Sequence, residues 1–146
     1  MPSLDEYLID VLDDADFDEP NMLTWIRLVF DLTSLLGEET DIDLERMWAT
    51  LLAHYETCCI ADSEIEGMRS EIVRLRGVGF WRDDSPLGLK FRCLNAVATT
   101  RTENKRDLYN WRYGIVTAIQ LINTLPGIEV ALLARIKNSF FLPGAT

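Results

Sequence analysis

The chain has 146 residues, 48% of them hydrophobic and 26% charged, with 24 acids against 14 bases and a formal net charge of −10. This length suits one domain, and a chain of this size buries roughly 70% of its unfolded surface, enough to fold without disulfides or a structural metal. The acidic balance runs against the basic footprint of a nucleic-acid binder, and Cys58, Cys59 and Cys93 are too few and too unevenly spaced for a disulfide framework.

Ser3 and Glu6 form a capping box ahead of Leu4, Tyr7, Leu8, Val11 and Leu12, the spacing of one helical face, so a first helix is expected to about Ala15. Asn21 can cap a second helix running to Leu36, where Gly37 can adopt a left-handed conformation and stop it. Arg27 and Asp31 with Thr24 and Ser34 make a narrow polar seam on this otherwise apolar segment, which predicts a central helix. Thr40 or Asp41 opens a third helix in which Leu44, Met47, Trp48, Leu51, Leu52, Tyr55, Cys58 and Cys59 keep the helical period.

Ser63 and Glu66 repeat the capping box before a fourth helix with Ile65, Met68, Ile72 and Leu75 inward, closed by Gly77. Residues 77–86, GVGFWRDDSP, break any period and predict a loop. Ser85 and Pro86 then start a fifth helix through Leu87, Phe91, Leu94 and Val97, a pattern weakened by Gly88. Thr102 begins a sixth helix with Leu108, Trp111, Ile115, Ile119 and Ile122, ended by Pro126, and a seventh spans about 128–140. No strand pattern competes, and no internal repeat is visible, so the expected fold is all-α: a compact single-domain bundle of six or seven helices over residues 1–146.

Charge is distributed unevenly. Residues 1–66 hold 18 acids against 2 bases, and residues 67–146 hold 6 acids against 12 bases. The second half can neutralise only part of the first, so a negative surface is expected that repels nucleic acid and attracts basic proteins. Asp10, Asp13, Asp14, Asp16, Asp18 and Glu19 are its densest part and the candidate binding residues. Asp14, Asp16 and Asp18 match the first, third and fifth ligands of a calcium loop. The match then fails, because Glu19 stands where glycine is needed and Trp25 where the closing glutamate belongs, so a solvated acidic turn is the better reading.

His54, Cys58 and Asp62 lie one helical turn apart and could offer nitrogen, sulfur and oxygen to a metal. A zinc site normally gathers ligands from separate segments, so a buried cysteine beside a boundary histidine is preferred and no metal or cofactor is expected. His54 is the sole histidine, and its i,i+4 pairing with Cys58 lacks the third orienting group of an activated nucleophile. Asp83 and Asp84 beside Ser85 and Pro86 read as local capping rather than carboxylate chemistry. No phosphate loop or dinucleotide fingerprint is present, and the chain is not expected to be an enzyme.

Arg74, Arg76, Trp81, Arg82, Lys90, Arg92, Lys105, Arg106, Tyr109 and Arg112 interleave bases with aromatics in the carboxyl half, the rival reading of a nucleic-acid surface; pairing with the acidic half explains them equally. Oppositely charged halves also allow a homo-oligomer, a self-associating structural or adaptor protein, to which Phe140, Phe141 and Leu142 could contribute an anchor, although capping of the core is their simpler role. Asp5, Glu6 and Asp10 stand where a secretory signal would be basic and then apolar, and the uncharged stretch 113–128 is too short and too polar to span a bilayer. The expectation is a cytoplasmic, acidic protein-binding module with a basic protein partner and no membrane contact, most concretely an inhibitor, antitoxin or immunity protein.

Overall fold

The computed structural model describes Leu4, Glu6 and residues 19–57, 67–102 and 108–141. Among these residues there are six α-helices and no strand: α1 (Glu19–Leu32), α2 (Ile42–Thr57), α3 (Met68–Arg76), α4 (Pro86–Thr102), α5 (Leu108–Ile122) and α6 (Glu129–Phe141). Two 3₁₀ turns, Thr33–Leu36 and Val78–Arg82, follow α1 and α3. The expected all-α bundle is therefore the fold. The first sequence-predicted helix beyond Leu4 and Glu6, the Ser63–Glu66 capping box and the acidic turn 10–18 lie outside the described residues.

Buried side chains from Leu4 and all six helices form one continuous core, with Trp25, Trp48, Phe80 and Phe91 as its largest members. The packing is organised around α4, whose most extensive interface is with α5 and which also meets α1, α2, α3 and both 3₁₀ turns. Gly88, Leu89, Lys90, Phe91, Cys93, Leu94, Asn95, Val97 and Ala98 are all buried, so this helix has no solvent stripe over its middle turns. That explains why its sequence shows little amphipathic period. The helix expected to be central, α1, packs on α2, α4, α5 and α6 but keeps Thr24, Arg27 and Asp31 exposed, which with Ser34 of the following 3₁₀ turn are the predicted polar seam, together with Phe30.

Several boundaries match their local chemistry. Asp41 is the cap of α2: its Oδ1 accepts the backbone N–H of Asp43 at 2.8 Å and of Leu44 at 3.3 Å. Ser85 caps α4, its Oγ accepting the Gly88 N–H at 3.1 Å, with Pro86 in the first turn as expected. Gly77 ends α3 with φ +85°, and Gly37 ends the first 3₁₀ turn with φ +122°, both conformations that side chains other than glycine rarely adopt. Hydroxyls tighten the end of α1: Thr33 Oγ1 donates to Phe30 O at 2.5 Å and Ser34 Oγ to Asp31 O at 2.7 Å, where the helix narrows to 3₁₀.

Three expected boundaries are corrected. Asn21 lies inside the first turn of α1 rather than capping it, since the helix is already formed at Glu19, and Pro20 is tolerated there because first-turn N–H groups have no helical partner. Thr102 is the last residue of α4 and not the start of the next helix. Helix α5 stops at Ile122, four residues before Pro126, in a turn where Leu125 N–H bonds Ile122 O at 3.2 Å and Gly127 has φ +77°.

Candidate functional site

The junction between the end of α1 and the start of α2 is a cleft of about 600 Å³. Phe30, Leu44 and Trp48 supply its apolar wall, and Asp31, Glu38 and Glu45 carry carboxylates on its lining. Trp48 is buried and Phe30 is 44% exposed, with ring centroids 5.1 Å apart and planes inclined at 51°. This is a preferred tilted geometry for two aromatics, so the solvated face of Phe30 is held on a fixed support.

Lys90 of α4 also lines the cleft although the residue is only 7% exposed. Its Nζ donates to Gly37 O at 2.8 Å and Glu39 O at 2.5 Å, tying the loop before α2 to the central helix across more than 50 residues of chain. Burial of an ammonium is costly unless it is hydrogen-bonded, and the carbonyls just past the end of a helical segment are favourable acceptors for it. The loop is thereby fixed and its acidic side chains, Glu38 and Glu39, remain exposed.

The cleft carboxylates differ in how far they are neutralised. Asp31 Oδ2 accepts Arg135 Nη1 from α6 at 2.6 Å. Glu45 accepts only the Thr40 hydroxyl at 3.3 Å, and Glu38 has no partner among the described residues. Phe30, a member of an apolar run, and Lys90, in the window LGLKFRCL, carry no sequence signal for this role, because only the fold brings them together. The unneutralised glutamates were legible as part of the acidic half.

Of the binding residues singled out in the sequence, Glu19 begins α1 and Asp10, Asp13, Asp14, Asp16 and Asp18 lie outside the described residues. His54 is buried on α2 with its ring edge-on to Tyr55, centroids 5.1 Å apart, while Cys58 and Asp62 lie outside the described residues. Among the described residues no three His, Cys, Asp or Glu side chains gather as metal ligands. Cys93 is fully buried with Sγ 3.4 Å from Ala118 O, and burial pushes its thiol up to about 12, the state of a packed rather than a reactive cysteine.

Asp83 acts as a local cap. Its Oδ1 accepts the Ser85 N–H at 3.0 Å and hydroxyl at 2.6 Å, and its Oδ2 accepts Arg76 at 2.9 Å. The Ser85 hydroxyl first, then the Ser85 N–H and Arg76, hold its carboxyl below the ordinary range. Among the described residues the rival basic surface is depleted: Arg76 lies over the Phe91 ring and pairs with Asp83, Arg92 donates to Asp84 at 2.7 Å, and Lys90 is nearly buried, while Lys105 and Arg106 lie outside the described residues. Arg74 and Arg82 remain exposed, and Trp81 is half-buried with Arg69 4.8 Å from its ring centroid.

No helix among the described residues is long and apolar enough to cross a membrane. No protein-family model, curated protein or solved structure matches the chain.

Proposed function

We propose that the chain is an acidic protein-binding module that occludes a basic partner, the action of an inhibitor, antitoxin or immunity protein in a reducing, cytoplasmic setting. The observation that carries this reading is the cleft at the α1–α2 junction, where a half-exposed aromatic stands among the carboxylates of Asp31, Glu38 and Glu45. An apolar anchor within a field of one sign suits steered association followed by slow release. The pairing of Arg76 with Asp83 and of Arg92 with Asp84 supports it further, because those two cations do not neutralise the cleft carboxylates. The cleft lining includes neither His54 nor Asp83, the side chains that acid–base chemistry would have used.

The test is capture from a native lysate at low salt with the tagged chain, beside a Glu38→Gln/Glu45→Gln variant and an Asp13→Asn/Asp14→Asn/Asp16→Asn variant. The captured protein is then purified and its association rate measured. A basic protein is expected whose association slows steeply with ionic strength and weakens with one or both variants. Capture of nothing basic, or indifference to both variants, overturns the reading.

Self-association has one observation in its favour. Val78 is 80% and Trp81 42% exposed beside Arg69 and Arg82, an apolar face of charge opposite to that of the cleft. Sedimentation equilibrium at low salt decides it: a dimer that Trp81→Ala abolishes is the expected result of this second reading, and a monomer at all concentrations removes it.

A further inference from the structure

We infer that the cleft takes an arginine side chain from the basic partner, seated with its guanidinium on the exposed face of Phe30 and hydrogen-bonded to the carboxylates of Glu38 and Glu45. The inference rests on the reading of the chain as a basic-protein binder and names what that surface recognises. Three features select the occupant. Phe30 is half-exposed, and its position is fixed by the buried Trp48 behind it, so its free face needs no reorganisation to receive a flat cation.

Among the described residues Glu38 and Glu45 have no cationic partner, whereas Asp31, on the same lining, is already engaged by a guanidinium from Arg135. The rim thus has charge left for one further cation, and a planar fork of donors can reach two carboxylates at once where an ammonium acts as a point charge. Lys90 restricts where the cation sits. Its nearly buried ammonium, bonded to Gly37 O and Glu39 O, lines the same cleft and repels a second cation, which favours a seat on the exposed side chains of Phe30, Glu38 and Glu45.

The volume of about 600 Å³ exceeds what one side chain fills, so the residues flanking the arginine enter with it. The same molecule already places guanidinium groups over rings, Arg69 at 4.8 Å from the Trp81 centroid and Arg76 at 5.0 Å from that of Phe91.

The experiment uses the full-length protein and two peptides, acetyl-Gly-Arg-Gly-amide and the isosteric neutral acetyl-Gly-citrulline-Gly-amide, titrated by ¹H–¹⁵N NMR. The arginine peptide is expected to shift the Trp48 indole N–H and the amides of Ser34 and Gly37 saturably, and the citrulline peptide to leave them in place. Phe30→Ala and Glu38→Gln/Glu45→Gln should each weaken binding about five-fold, with Phe30→Tyr retaining it because the aromatic face survives. Equal binding of the citrulline peptide, or shifts confined to other parts of the molecule, overturns the inference. So does a captured basic protein whose affinity is unchanged by Phe30→Ala, a result that leaves the broader reading standing. Arginine-peptide binding in the cleft without any basic protein captured would remove the broader reading and keep the site.

Discussion

At Gly88 the backbone makes room for a side chain from another segment. A Cβ there would fall against the Asp83 carboxylate, 2.5 Å from each oxygen, so the glycine inside α4 makes room for the side chain that holds the helix's cap, Ser85. Alanine ordinarily strengthens a helix interior by about 1 kcal/mol relative to glycine. Overpacking of this kind costs about 1–3 kcal/mol and should win, because the Asp83 side chain is held by Ser85 and Arg76 and cannot simply swing aside. Gly88→Ala is therefore expected to destabilise the fold in urea. Gly88→Ala with Asp83→Ala should lose less than the two single losses added, since removing the carboxylate also removes the clash. Full additivity would mean that the two positions do not compete for space.

The same carboxylate makes stability depend on pH in a predictable direction. Its folded-state pKa lies below the ordinary 3.8, with the Ser85 hydroxyl as the leading cause. A lowered acid pKa contributes stability that is fully present above the unfolded value and is lost as pH falls through the folded one. The difference in unfolding free energy between wild type and Asp83→Asn should accordingly be constant near neutrality and narrow below about pH 4. A difference that stays constant down to pH 2 would show that Asp83 stabilises only through shape and neutral hydrogen bonding.

At the scale of elements, Lys90 is the tie between α4 and the loop that opens α2. Lys90→Met keeps the hydrophobic stem but leaves the Gly37 and Glu39 carbonyls without their donor. Both residues are exposed and water can reach them, so the loss should fall near the lower end of the penalty for an unmade hydrogen bond, about 1–2 kcal/mol. Faster hydrogen exchange at residues 38–41, with α5 and α6 unchanged, is the expected signature; acceleration throughout the bundle would mean that Lys90 serves the core and not the loop.

The contrast between Lys90 and Asp41 marks what could be read from the chain alone. Asp41 and Ser85 act on N–H groups two or three residues away, so their capping roles are written in local spacing. Lys90 acts on carbonyls more than 50 residues back, and Phe30 stands within an apolar run that resembles core. Neither role has a local signature. The same reason explains Thr102: its residue type suits a cap, and whether α4 continues through it is decided by packing against α5, the partner of its most extensive interface.

For the whole molecule the question is whether the two oppositely charged halves attract each other enough to offset repulsion within the acidic one. Among the described residues Arg135–Asp31 joins a base of the second half to an acid of the first and Arg46–Glu71 crosses in the opposite sense, while Arg27–Glu56 and Arg92–Asp84 lie within one half; all are partly exposed, and such pairs contribute about 0.2–1 kcal/mol each. Close contacts of this kind lose little to moderate salt. Repulsion among 18 acids facing 2 bases in residues 1–66 acts over longer distances and is strongly screened once the Debye length falls from about 30 Å at 0.01 M to about 10 Å at 0.1 M. Repulsion is therefore the component that salt removes. Stability should rise with sodium chloride over that range, by about 1 kcal/mol or a few degrees in the melting temperature. Asp13→Asn/Asp14→Asn/Asp16→Asn should raise stability at 10 mM salt and flatten the response. Such an outcome would mean that the fold does not account for the acidic cluster, as the proposed binding of a basic partner requires. If stability instead falls as salt is added, the carboxylates are already satisfied by the basic half, and the surplus on which steered binding depends is absent.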